Sequence, residues 1–142
     1  MNKSISQIGG YILAGGKSSR MGEDKGLKQF KGKALVQTVI DQMQLAIDEV
    51  VIVSNNSDYK QFGLLVIEDV IKNIGPAGGI YTALKHSKSE KNFIVSCDMP
   101  FVRDDAILFL IEKGKDYEIT LPEINGKLEP LFGVYSKAVL SQ

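Results

Sequence analysis

The sequence predicts a single α/β domain of three layers, with a mainly parallel sheet between helices. Three observations carry this. Short apolar or β-branched runs alternate with stretches of helical periodicity. The first of those runs stops at paired glycines, as a buried strand does when it opens into a loop. The chain has 142 residues and 44% hydrophobic composition, enough for one buried core, and no repeat or linker divides it.

Ile8 to Ala14 reads as the first strand, its apolar end Tyr11-Ile12-Leu13-Ala14 stopping at paired glycines. Gly26 to Lys33 is short and mixed, with Leu27 and Phe30 as anchors. Val36, Val39, Ile40, Met43, Ala46 and Ile47 recur at helical spacing and predict an amphipathic helix over 34–47. Val50-Val51-Ile52-Val53 is apolar at every position and too short for a helix, which suits a central parallel strand covered on both faces. Ser54 to Tyr59 is polar and loop-like, and Leu64 to Ile67 is the next strand, ending at Glu68-Asp69. Gly75-Pro76-Ala77-Gly78-Gly79 breaks the chain, and a helix is expected from Ile80 to His86. Phe93-Ile94-Val95 is a further strand that delivers Cys97-Asp98-Met99-Pro100.

Asp104 is a candidate N-cap for a helix over Ala106 to Ile111. Glu118 to Pro122 and Leu131 to Tyr135 are expected as strands flanking the Asn125-Gly126 turn, and Ser136 to Leu140 as the first turn of a helix. This alternation predicts right-handed crossovers and a Rossmann-like arrangement, in which ligands sit beyond the carboxyl ends of the strands. Gly15, Asn55, Asp69 and Asp98 each follow a predicted strand, so a parallel sheet gathers them on one rim.

The loop after the first strand carries the chemistry. Leu13 to Lys25 reads Leu-Ala-Gly-Gly-Lys-Ser-Ser-Arg-Met-Gly-Glu-Asp-Lys, with Lys17, Arg20 and Lys25 inside nine residues. Gly15, Gly16 and Gly22 let backbone approach a ligand, and Ser18 and Ser19 add hydroxyls. Backbone donors and cations at a strand end describe a place for phosphates. The loop is not a Walker A, because Tyr11 stands five residues before Gly16-Lys17-Ser18 where that motif needs glycine. It is not Gly-x-Gly-x-x-Gly either. A glycine-rich surface turn with solvated charges is the alternative, but such turns seldom place so many cations after a buried strand. Asp98 is either a capping or solvated aspartate or a ligand for Mg²⁺, which takes few protein carboxylates and completes its shell with phosphate oxygens.

Lys plus Arg and Asp plus Glu number 17 each, so no global field points to nucleic acid or an acidic membrane. The single cysteine, Cys97, excludes an intramolecular disulfide and a cysteine-only zinc site. No run approaches the roughly 20 apolar residues of a membrane span, and no signal-like apolar region follows Met1. A soluble, cytoplasmic, reducing-compartment protein is expected, as monomer or weak oligomer. His86 and Cys97 read as structural residues.

Leu-Ala-Gly-Gly-x-Ser-x-Arg-Met-Gly-x-Asp-Lys, spanning Leu13 to Lys25, resembles the signature of the molybdenum cofactor guanylyltransferases, which belong to the nucleotide-diphospho-sugar transferase-like superfamily. Cys97-Asp98-Met99-Pro100 matches a second motif of that family, and Gly75 to Ile80 resembles its Gly-Pro-x-Ala-Gly-Ile stretch, with Gly78 in the alanine position. The resemblance implies transfer of GMP from GTP to molybdopterin or molybdenum cofactor, with Mg²⁺ on Asp98 as cofactor. It implies that Lys25, Arg20 and Asp98 are catalytic, and that Leu13, Ala14, Gly15, Gly16, Lys25, Asn55, Asp69, Gly78 and Asp98 bind the nucleotide.

Implied partners are the other proteins of molybdenum cofactor biosynthesis and acceptor molybdoenzymes. Cytidylyl-transferring relatives tend to have Leu-Ala-Ala-Gly, so Gly15 favours the guanylyl branch. Sugar-nucleotide and methylerythritol-phosphate cytidylyltransferases usually have proline in place of Asp24. Family members continue past the region matched by Glu129-Pro130-Leu131-Phe132 to an Asn-x-Asn-Thr-Pro motif that this chain does not contain. The expectation is therefore one nucleotidyltransferase domain over 1–142 lacking the usual C-terminal part. A non-catalytic GTP-binding remnant and a cytidylyltransferase are the alternatives. Lys127 and Glu129 either face the pterin or belong to a solvated hairpin.

Overall fold

A computed structural model of the chain describes residues 7–15, 24–71, 75–99 and 101–141. A central sheet of six strands is formed by β1 (Ile8–Leu13), β4 (Glu49–Val53), β5 (Val66–Ile67), β6 (Lys91–Ser96), β7 (Ile119–Thr120) and β10 (Phe132–Ser136), in the order β5-β4-β1-β6-β10-β7. The first four strands in that order are mutually parallel, and β10 runs antiparallel to β6 and β7. Two small ribbons stand apart, β2 (Gln29–Phe30) with β3 (Lys33–Ala34) and β8 (Glu123–Ile124) with β9 (Lys127–Leu128).

The alternation of side chains along the strands builds two cores. Ile12, Ile52, Phe93 and Val95 face helices α1 (Leu35–Ala46) and α3 (Asp104–Lys113), meeting Val36, Val39, Ile40, Met43, Ile107 and Leu110. Tyr11, Val53, Ile94 and Tyr135 face the other way, against Ala83 and Leu84 of helix α2 (Pro76–His86). The expected three-layer, mainly parallel architecture is therefore present. No helix among the described residues is long and apolar enough to cross a membrane.

Several local expectations are corrected. Helix α2 begins at Pro76 rather than Ile80, so Gly78 and Gly79 lie inside it. Proline is pre-set for a first helical turn, and the small residues let the helix settle onto Leu13. Asp104 is the first residue of α3 rather than its N-cap. Arg103 holds the cap position, and the Asp104 N–H is satisfied by Gln42 Oε1 of α1 at 2.8 Å. Asn125-Gly126 turns the separate β8–β9 ribbon, while β7 and β10 pair without sharing that turn.

The polar stretch after β4 coils into a 3-10 helix, Ser57–Phe62, that buries Tyr59 completely. Lys137–Ser141 forms a 3-10 turn instead of an α-helix. Phe30 is a partly exposed ribbon residue, edge-to-face with the exposed Phe101, while Leu27 does pack on the core. Phe93 is 0% exposed at the centre of the first core. Phe93→Ala is expected to lower the unfolding free energy by about 3–5 kcal/mol in urea titration.

Candidate functional site

The parallel strands end level. Leu13 pairs with both Val53 and Ser96, and Val53 pairs with Ile67. Backbone pairing runs one residue further, Ala14 N–H donating to Val53 O at 2.9 Å, Ser54 N–H to Ile67 O at 2.9 Å and Cys97 N–H to Leu13 O at 3.0 Å. Gly15, Asn55, Asp69 and Asp98 consequently leave the sheet on one rim. Leu13 and Ala14 give these backbone groups to the sheet, and the Leu13 side chain lies under Gly79 of α2. Gly15 has φ of 92°, in the left-handed region that favours glycine. A Cβ there would stand 3.3 Å from Ser54 Oγ and 3.5 Å from Asp24 Oδ2.

Lys25 opens a 3-10 turn, Lys25–Leu27, and is exposed on this rim. Asp24 caps the turn. Its Oδ1 accepts the Gly26 N–H at 3.2 Å and the Tyr59 hydroxyl, and its Oδ2 accepts Asn56 Nδ2 at 3.2 Å. Gly26 is buried so tightly that a Cβ would fall 2.2 Å from the Tyr59 hydroxyl and 2.7 Å from Cys97 Sγ. Gly26 follows Lys25 and Cys97 precedes Asp98, so this contact brings two of the three predicted catalytic residues to one edge. Arg20 and Gly16, with Lys17, Ser18, Ser19 and Gly22, lie outside the described residues.

The acids on the rim are oriented by hydroxyls. Asp98 Oδ1 accepts the Ser96 hydroxyl at 2.7 Å. Asp69 Oδ1 accepts the Thr82 hydroxyl at 3.0 Å and the Ile71 N–H at 3.1 Å. The Asp69 N–H donates to Asn55 Oδ1 at 3.0 Å, and Thr82 Oγ1 accepts the Val70 N–H at 2.9 Å. Asn55 and Asp69 thus form one unit tied to α2, whose first turn contains the buried Gly78.

Sequence reasoning missed Asp24 as a cap, Tyr59 as its partner and Thr82 as the tie. An Asp before a turn and an aromatic inside a polar stretch were the available signals for the first two. Glu129 Oε2 accepts the Leu131 N–H at 3.3 Å, while Lys127 is exposed on the β8–β9 ribbon. His86 shares a 2.8 Å hydrogen bond with Tyr11 at the C-terminal end of α2.

Burial pushes the Tyr59 hydroxyl well above its ordinary range, helped by Cys97 and Asp24, so it remains a donor. Burial also pushes the Cys97 thiol up to about 11, with the Asp98 charge adding and a Gly15 backbone hydrogen bond opposing. Among the described residues, no group of three or more His, Cys, Asp or Glu gathers to hold a metal. A single oriented carboxylate such as Asp98 fits a hard divalent cation that draws its other ligands from water and phosphates. It does not fit a metal caged by protein alone.

A parallel sheet with a lysine turn and an aspartate at its carboxyl edge places the protein in the class of nucleotidyltransferase-like α/β domains. The chain belongs to the MobA-like NTP transferase domain family, whose model matches residues 10–142. A Clostridium perfringens protein named "Probable molybdenum cofactor guanylyltransferase" is 39% identical over 129 residues, covering 89% of this chain and 65% of the relative. A protein of the same name from Natranaerobius thermophilus is 41% identical over 144 residues, covering 96% and 69%. The chain thus spans about two thirds of the length of these curated relatives. A crystal structure of an Aquifex aeolicus protein matches with TM-score 0.81 at 36% identity, over 97% of this chain and 75% of that one. The molybdopterin-guanine dinucleotide biosynthesis protein A of Archaeoglobus fulgidus shares the fold, with TM-score 0.77 at 23% identity, over 94% and 70%.

Two outcomes follow from this geometry. Gly26→Ala forces Tyr59 or Cys97 aside and is expected to cost about 1–3 kcal/mol in thermal unfolding. Because a thiol titrating near 11 holds its proton at pH 8, native Cys97 should resist iodoacetamide there and react once the chain is unfolded in urea.

Proposed function

We propose that the protein transfers GMP from GTP to molybdopterin or its molybdenum-loaded form. An acceptor phosphate oxygen attacks the α-phosphorus, the bond to the β-phosphate breaks, and pyrophosphate leaves. The observation that supports this reading is the close packing of Gly26 on Cys97, which brings the chain next to Lys25 and the chain next to Asp98 together at the carboxyl edge. The name borne by relatives at 39% and 41% identity supplies the guanylyl and molybdenum cofactor chemistry.

Both reactants are anionic, so the protein must cancel charge while holding them in line. Lys25 neutralises charge developing around the α-phosphate, and Arg20 with the amides of the Gly15 loop holds the departing β- and γ-phosphates. Asp98 would hold Mg²⁺, with Ser96 fixing one of its oxygens, and the bound ion would lower the charge on the phosphates. Asn55, Asp69 and Gly78 lie toward the nucleoside, on the side of α2.

Pyrophosphate release from Mg-GTP and molybdopterin is the direct test, with CTP as the competing donor. Lys25→Ala is expected to lower turnover by about 10²–10³-fold while GTP affinity changes far less. GTP binding without pyrophosphate release would overturn the transfer reading. Preference for CTP would overturn its guanylyl part.

A further inference from the structure

We propose that Asp24 is a positioning residue for Lys25, its carboxylate clamping the lysine-bearing turn to the loop after β4. The inference rests on the reading of Lys25 as the residue that meets the nucleotide phosphates.

A carboxylate beside a phosphate site is electrostatically adverse to an anionic nucleotide, so its presence calls for a compensating function. Asp24 lies next to Gly15, where its Oδ2 is 3.5 Å from the position of a Cβ. Its lone pairs are committed to the Gly26 N–H, the Tyr59 hydroxyl and Asn56 Nδ2. A carboxylate so occupied has little left for a metal, which separates it from Asp98.

Each donor belongs to a fixed part of the fold. Tyr59 is 0% exposed, and its hydroxyl would lose much by being left without a partner. The Asn56 N–H donates to Ser54 Oγ at 3.0 Å, directly after β4, and Asn56 Oδ1 accepts the Asp58 N–H at 2.9 Å. Asp24 and Gly26 therefore pin the backbone on both sides of Lys25. With both neighbours held, the exposed lysine has one starting point from which its ammonium can reach a ligand. The adjacent Asn55 is bonded to Asp69, so the same loop also joins the lysine turn to the nucleoside side of the rim.

The test is a double-mutant cycle on the full chain, using Asp24→Asn, Tyr59→Phe and Lys25→Ala, with pyrophosphate release and GTP affinity read separately. Asp24→Asn removes a repulsive charge and loosens the turn. It is expected to bind GTP at least as tightly as the unaltered protein while turnover falls about 10- to 100-fold. Tyr59→Phe should lower turnover in the same direction with its thermal transition retained. In the Lys25→Ala background, either change should cost less than about threefold, because the residue they act through is gone.

A second arm measures acylation of the Lys25 amine by mass spectrometry. GTP should protect Lys25 in the unaltered protein, and that protection should be reduced in Asp24→Asn and Tyr59→Phe. Equal losses in both backgrounds, a parallel loss of GTP binding, or unchanged protection in the variants would overturn the proposal. Absence of pyrophosphate release by the unaltered protein overturns the transfer reading alone, and the labelling arm then decides the role of Asp24. Failure of GTP to protect Lys25 in the unaltered protein overturns both.

Discussion

The parallel pairing of β1 with β4 on one side and β6 on the other is the constraint behind everything at the rim. Leu13 is opposite Val53 and Ser96 at once, so the three strands release their chains at the same height. A slip by one residue would send Ile12 to the α2 side and Tyr11 to the side of α1 and α3, exchanging two cores shaped for different side chains. Hydrophobic burial on two faces therefore holds the register. The register in turn decides which loops meet.

The rim that results treats its acids in one way. Asp24, Asp69 and Asp98 each accept a hydroxyl, from Tyr59, Thr82 and Ser96 respectively. A lysine or arginine partner would orient a carboxylate and also cancel its charge. A hydroxyl fixes the orientation and leaves the negative charge in place. For Asp98 this keeps a hard oxygen donor available to a cation. For Asp24 and Asp69 it makes the carboxylate a tie between elements that come from distant parts of the chain.

The strands and their sequence of loops were legible because burial on both faces demands uninterrupted apolar runs, as in Val50 to Val53 and Phe93 to Val95. Gly15, Lys25 and Asp98 stand out as candidates because glycine and charge soon after such a run are uncommon. Tyr59 was hidden inside Ser-Asn-Asn-Ser-Asp-Tyr-Lys, where polar neighbours conceal a single buried ring whose packing partners lie elsewhere in the chain. Thr82 was hidden for a related reason, since one hydroxyl on a helix shows nothing until the loop at Asp69 is laid beside it. Gly78 and Gly79 read as breakers in sequence because glycine disfavours helix. Close packing of α2 on Leu13 reverses that preference.

Equal numbers of basic and acidic residues, 17 each, deny the protein any long-range pull on an anion. At physiological salt an exposed lysine is screened beyond about 8 Å. Part of the protein's positive charge is also already matched, Lys33 meeting Asp41 at 2.8 Å. A nucleotide must therefore be recognised at contact distance, where the placement of each donor counts for more than the sum of charges. Placement on this rim comes from backbone: a left-handed Gly15, a Gly26 with no room for a side chain, and a short turn held at both ends. Lys25 can then be carried on an exposed side chain, because the backbone from which it starts is held by the Asp24 cap and the buried Gly26.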